Sequence, residues 1–154
     1  MKIVEADFTN QAFLELIREH LADMYATSPL ESVHALGVES LQAEDVTAWM
    51  ALDGTKVVGC VAMKELSPFH GELKSLRTHA RHLHKGVAKT LIQFLLEEGK
   101  RRGYQRISLE TGVEDYFIPA RKLYEREGFG YTEPFGEYTD DPNSCFMTMQ
   151  IETA

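Results

Sequence analysis

Apolar residues recur along this chain with two periods, and the places where the period changes mark out alternating strands and helices. Lys2 to Ala6 reads as a strand. Phe13, Leu14, Ile17, Leu21 and Met24 then fall on one side of a helix that Thr9 or Asn10 can cap and that ends near Ser28-Pro29. From Glu31 to Asp45 the chain turns polar without a period, which predicts a loop with one or two short helical turns. Within the preceding stretch, Ser28 to His34 has no strong pattern and is a candidate ligand-facing segment.

Val46 to Leu52, Lys56 to Leu66 and Gly71 to Thr78 form an expected antiparallel meander, with turns at Asp53-Gly54 and Ser67-Pro68. Val57, Val58, Val61 and Met63 make its second strand apolar enough to be central. Val87, Leu91, Ile92, Leu95 and Leu96 mark an amphipathic helix with a basic last turn, Arg101-Arg102, stopped by Gly103. Arg106 to Thr111 is a short strand and Pro119 to Glu127 a helix closed by Gly128. Tyr131 to Phe135 and Phe146 to Ile151 are the last strands. This order predicts one α/β domain, a mixed and mostly antiparallel sheet with helices on both faces.

Composition narrows the function. The 154 residues, 44% hydrophobic and 26% charged, suffice for one well-packed domain. Sixteen Lys and Arg against 24 Asp and Glu give a net charge of −8, which disfavours nucleic acid and anionic membranes as partners. Cys60 and Cys145 lack metal-ligand spacing and are expected as buried free thiols. The first residues carry no apolar leader core, so a cytoplasmic protein is expected.

The chemistry concentrates between Glu72 and Ala88, where a strand passes through a loop of His and Lys into Gly86-Val87-Ala88 at a helix start. Unpaired N–H groups and the positive end of the helix dipole suit a pyrophosphate there, and small residues let it approach. Neither a P-loop nor a dinucleotide GxGxxG is present.

The run Glu72-Leu-Lys-Ser-Leu-Arg-Thr78, followed by Leu83-His-Lys-Gly86-Val-Ala88, resembles strand 4 and motif A of the Gcn5-related N-acetyltransferases (GNAT). Leu83 stands where that motif has Gln or Arg. Ala120-Arg-Lys-Leu-Tyr124-Glu-Arg-Glu-Gly128-Phe129 resembles motif B, with Phe117 where an Asn often opens it. Further likeness to one bacterial branch of the family covers nearly the whole chain, including Ser28 to Leu36, His70 to Thr78, Leu109 to Gly112 and Asp141 to Thr148. The resemblance implies the GNAT fold, with its sheet splayed, and acetyl-CoA as acyl donor to a small-molecule amine. A protein N-terminus or lysine as acceptor, or a non-catalytic acyl-CoA-binding module, are the alternatives; a homodimer is common in the family.

On that resemblance, Leu76, Arg77 and Thr78 would meet the pantetheine arm, while Leu83, His84, Lys85, Gly86, Val87 and Ala88 would meet the phosphates. A backbone N–H near Leu76 to Thr78 would stabilise charge on the thioester oxygen. Glu72 is the first candidate for the base that takes the acceptor's proton, with Glu110 or solvent as alternatives. Tyr124 is the candidate acid for the departing thiolate, against a reading as a core aromatic. Lys74 and Arg77 are charges within a strand and call for carboxylate partners from protein or substrate, so an acceptor carrying both amine and carboxylate is expected. Glu31, Ser32, His34 and Thr111 complete the expected acceptor site. His79, His82 and His84 spell His-x-x-His-x-His, yet no further ligand follows at suitable spacing. A basic phosphate-facing loop is the preferred reading, and no metal is expected.

Overall fold

A computed structural model of the chain describes residues 1–151. Strands β1 (Lys2–Glu5), β2 (Val46–Asp53), β3 (Lys56–Ser67), β4 (His70–Thr78), β5 (Arg106–Gly112), β6 (Gly130–Thr132) and β7 (Ser144–Gln150) form one sheet. Its order is β1-β2-β3-β4-β5-β7-β6. All neighbours are antiparallel except β4 and β5. The apolar β3 is interior and buried along most of its length, one place from the centre, which β4 holds.

Helix α1 (Gln11–Thr27) begins where the Asn10 side chain accepts the Phe13 N–H at 3.1 Å. It lays Phe13, Leu16 and Ile17 on Met50, Cys60 and Ala62 of the sheet. Helices α2 (Val87–Arg102) and α3 (Ile118–Glu127) take the opposite face, where Leu91, Ile92 and Leu95 pack with Met63, Leu73, Ile107 and Met147. Each such apolar side chain contributes about 1.5–3 kcal/mol on burial. Gly103 and Gly128 end the two helices at φ 84° and 107°, conformations that side chains with a Cβ resist.

The apolar stripe of α1 is only half used. Leu21 and Met24 stay partly exposed because the second half of the helix, with His20 and Asp23, fronts a cleft rather than the core. The final antiparallel ribbon also differs from expectation: β6 ends at Thr132, and Phe135 is not in a strand. Pro134 has no N–H to continue the pairing. The chain folds back instead, stacking Phe135 on His70 and Phe146 and Tyr138 on Phe135 and Phe146. This segment caps β7 on the face that α1 covers over β3 and β4.

One irregularity sets up the site. Ala62 of β3 faces Lys74, but Cys60 faces Arg77, so two residues of β4 oppose one of β3. Ser75, at φ 55°, takes the left-handed conformation of this β-bulge. A bulge bends its strand, and β4 accordingly pairs with β5 only from His70 to Glu72, against Arg106 to Ser108.

Candidate active site

Beyond Glu72 and Ser108 the two strands part, and a cleft of about 600 Å³ opens between them. Its floor is β4 from Glu72 to Thr78 and β5 from Glu110 to Gly112; α1, α3 and the segment after Ser28 supply its walls. The β5-facing edge of β4 from Leu73 onward has no strand partner, so its polar backbone groups are available to an extended ligand. Leu76, Arg77 and Thr78 all line this stretch.

The loop after β4 continues the same wall. Leu83 and His84 line the cleft, His84 at φ 63°. Gly86 follows at φ 81° as the residue before α2, and nothing lies within 4 Å of where its Cβ would be. Its carbonyl accepts Thr90 N–H at 3.0 Å and Thr90 Oγ1 at 2.8 Å, which leaves the amides of Val87, Ala88 and Lys89 without helical partners. Lys85 is exposed beside them. Open space, free amides and a dipole's positive end fit a pyrophosphate, and the unpaired strand edge fits a pantetheine amide chain. The residues present therefore suit CoA.

Side chains dominate the other half of the floor. Inward positions of β4, β5 and β7 are mostly polar there, Glu72, Lys74, Ser108, Glu110, Ser144 and Thr148, with Phe146 between the last two. Glu72 is 3% exposed, and one of its oxygens accepts both Tyr138 OH at 2.5 Å and Lys74 Nζ at 3.3 Å. Lys74 also donates to Tyr138 Oη at 3.0 Å. Burial, then the Glu72 charge, pushes the Tyr138 phenol well above its ordinary range. Glu110 receives a hydrogen bond from Ser144 Oγ at 2.8 Å, and burial raises its carboxyl to about 7 against that opposing bond.

Two loops meet above this floor. Ser32 Oγ donates to Asp141 Oδ2 at 2.7 Å, and the His34 ring sits edge-on to Tyr138 with centroids 5.0 Å apart. The first loop contains the 3-10 turn Leu30–Ser32; the second is the segment after β6. Ser32 and His34 thus line the cleft as expected, whereas Glu31 is exposed and outside its lining.

Tyr124 reaches the cleft from α3, and its ring packs edge-on to Phe129 in the core. Burial raises its phenol, which stays protonated through the neutral range. On the opposite wall, Arg77 Nη1 bonds Asp23 Oδ2 at 2.6 Å. His20 beside this pair is lowered to about 4, first by burial and then by Arg77. Cys60, free and buried, is pushed up to about 12 by burial.

Lys74 and Arg77 therefore both have protein carboxylates as partners, which removes the basis for requiring a carboxylate on the acceptor. Thr111 lines the cleft beside Glu110. His79 and His82 sit edge-on to each other outside it, with ring centroids 5.5 Å apart; among the described residues no His, Cys, Asp and Glu group could hold a metal. Tyr138, Ser144 and Asp141 were not foreseen as site residues. The alternation of Arg106-Ile-Ser108-Leu-Glu110 and Ser144-Cys-Phe146-Met-Thr148 carried a signal for a polar inner face, but nothing local placed Tyr138 above it.

A splayed sheet with a helix start at one end of the gap and acid–base side chains at the other defines an acyl-CoA-dependent transferase. The model of the acetyltransferase (GNAT) family matches residues 11–129. The uncharacterized N-acetyltransferase YsnE of Bacillus subtilis is 52% identical, covering 98% of this chain and 100% of its own. An IAA acetyltransferase of Azospirillum brasilense is 32% identical, with 88% of each chain covered. The crystal structure of the PaiA N-acetyltransferase of Thermoplasma acidophilum in complex with coenzyme A superposes with a TM-score of 0.73 at 18% identity, covering 97% of this chain and 98% of that one. The protein belongs to the GNAT family and is an acetyl-CoA-dependent acetyltransferase.

Proposed function

We propose that this enzyme transfers the acetyl group of acetyl-CoA to a small-molecule amine by direct attack within a ternary complex. The observation that carries this reading is the position of the gap between β4 and β5, which places an unpaired strand edge beside the Glu72 and Glu110 carboxylates. Val87 to Lys89 amides, with Lys85 nearby, bind the pyrophosphate, and the β4 edge from Leu76 to Thr78 holds the pantetheine arm. A β4 N–H polarises the thioester carbonyl, the preorganised dipole that tetrahedral charge needs.

An ammonium cannot attack, so a cleft carboxylate must first accept its proton; Glu72 and Glu110 are the two bases on the floor. Tyr124, protonated at neutral pH, donates to the leaving sulfur from α3. The clasp between Ser32 and Asp141 roofs the acceptor end and favours a small acceptor over a folded protein's lysine. With Lys74 and Arg77 already paired, the acceptor needs an amine and no carboxylate.

CoA release measured with amino acids, polyamines, aminoglycosides, peptides and IAA tests the reading. Turnover of small amines with peptides inert is expected. Activity confined to peptides, or to IAA, would replace the small amine by that acceptor, and no turnover with retained acetyl-CoA binding would favour a non-catalytic binding module.

A further inference from the structure

The two carboxylates on the cleft floor sit in opposite settings. Both extend from inward positions of neighbouring strands, Glu72 from the last paired residue of β4 and Glu110 from β5 two residues past its last paired one. The same Glu72 oxygen is bound twice, by an ammonium and a phenol, Lys74 and Tyr138. Lys74 is itself tied to the Tyr138 oxygen, so the three groups close a triangle. Tyr138 is fixed in turn by Phe135, Phe146 and His34, which surround its ring. Among the described residues Glu110 has only the neutral hydroxyl of Ser144 as a side-chain partner, and no cation pairs with it.

We propose that Glu110 is the group that takes the acceptor's proton, while Tyr138 is a positioning residue that holds Glu72 as the fixed counter-ion of Lys74. This inference rests on the N-acetyltransferase reading above and assigns the roles within it. The Glu72 oxygen is already engaged by an ammonium and a phenol, which ties that carboxylate to Lys74 and Tyr138 rather than to an incoming acceptor. A carboxylate held by a single neutral donor in a desolvated site retains basicity, and burial sets Glu110 at about 7, near the operating pH that serves a base best.

The proton count closes. The acceptor ammonium gives one proton to Glu110, its nitrogen attacks the thioester carbon, and the new C–N bond forms as the C–S bond breaks. The CoA thiolate gains a proton from Tyr124, and the second proton lost by the nitrogen returns through water to the Tyr124 oxygen, restoring the phenol. Per acetyl group one proton is released, and it leaves through Glu110 to water.

The groups that face Glu110 fix the sign of each perturbation. Ser144 on β7 and Lys74 on β4 favour its charged form; Glu72 on β4 and Asp141 on the loop above oppose it. The neutral phenol of Tyr124 on α3 faces it as well. Removing the Glu72 charge should therefore make Glu110 more acidic, and the two isosteric variants should behave differently.

The test is the pH dependence of kcat from pH 5 to 9 for wild type, Glu110→Gln, Glu72→Gln and Tyr138→Phe, using the panel amine with the highest kcat/KM and, for comparison, a second amine of different basicity. Wild type should show an acid limb with a midpoint near 7 that is the same for both amines. Glu110→Gln should lose that limb and about a hundredfold in kcat. Glu72→Gln should keep it, moved to lower pH. Tyr138→Phe preserves the ring packing, so it should fold and keep the limb, with acceptor KM raised about tenfold as Glu72 and Lys74 loosen.

A limb abolished by Glu72→Gln and kept by Glu110→Gln would overturn the assignment, as would a limb that follows the amine's own basicity. A Tyr138→Phe enzyme with unchanged acceptor KM would overturn the positioning role. Acetyl-CoA-induced thermal stabilisation, measured on every variant, separates these results from a folding or cofactor failure. A wild-type enzyme that turns over no amine would overturn the parent reading and this assignment with it.

Discussion

The two ends of the cleft are built from different materials. At the α2 end the groups proposed to meet CoA are backbone: the free edge of β4, the amides of Val87 to Lys89 and a glycine with open space where a side chain would stand. At the β5 end they are side chains in two hydrogen-bonded groups, the triangle of Glu72, Lys74 and Tyr138 and the pair of Glu110 and Ser144. Backbone recognition depends on conformation and tolerates changes of side chain. A network of charges depends on each member, because removing one leaves a buried partner unsatisfied.

That contrast orders what substitutions should do. The largest effect is expected at Gly86, whose φ of 81° and empty Cβ position a β-branched residue would both violate. Gly86→Val should weaken acetyl-CoA by at least about a hundredfold in calorimetry, a cost of ~3 kcal/mol in backbone strain and lost space. The protein should stay folded, since no protein atom meets the new side chain.

Next comes Tyr124→Phe, which removes an acid and keeps the ring against Phe129. Turnover should fall about thirtyfold in steady-state assays, with acetyl-CoA affinity unchanged. Wild-type turnover in this variant would leave Tyr124 with its packing role alone.

A smaller effect concerns the wall opposite. His20 is neutral in the fold and its Nδ1 is buried without a partner. Its folded pKa, about 4, lies below the ordinary ~6.5 of an unfolded chain, so as pH falls the unfolded state binds the proton first. Stability contributed by this group is present above ~6.5 and is lost as pH drops through 6.5 towards 4. His20→Leu should remove about 2 kcal/mol of that acid sensitivity, read as the difference in Tm between the two proteins at pH 7 and pH 4.5. The difference measurement matters because Glu110, with its raised carboxyl, contributes in the opposite direction over the same interval.

The smallest effect is predicted where the family's motif is least well kept. Leu83 is 51% exposed and its side chain donates no hydrogen bond, so Leu83→Ala should change acetyl-CoA affinity less than about twofold. A large loss would show that the phosphate end relies on side chains after all.

The same division explains what the sequence made legible. Strands and helices followed from periodicity, and the glycine before α2, the bulge-bearing strand and the Leu-Tyr-x-x-x-Gly-Phe ending of α3 are local features that lie in consecutive residues. The backbone half of the site was therefore readable. Tyr138 was not, because its position above Glu72 depends on the chain folding back after Pro134, a contact between residues 66 apart in sequence. The pairing of Arg77 with Asp23 was hidden for a similar reason: it joins the bulged strand to the far half of α1, 54 residues away. Charges within a strand announced that partners must exist without saying whether protein or substrate supplied them.

The central claim, a backbone-made CoA end joined to a side-chain-made acceptor end, is tested most directly by titrating the ¹⁵N-labelled enzyme with CoA and following its amide resonances. The amides of Leu76 to Thr78 and Gly86 to Lys89 should shift strongly while those of Ser32, Tyr138 and Asn143 move little. Shifts concentrated on Ser32, Tyr138 and Asn143, with the start of α2 unmoved, would contradict it.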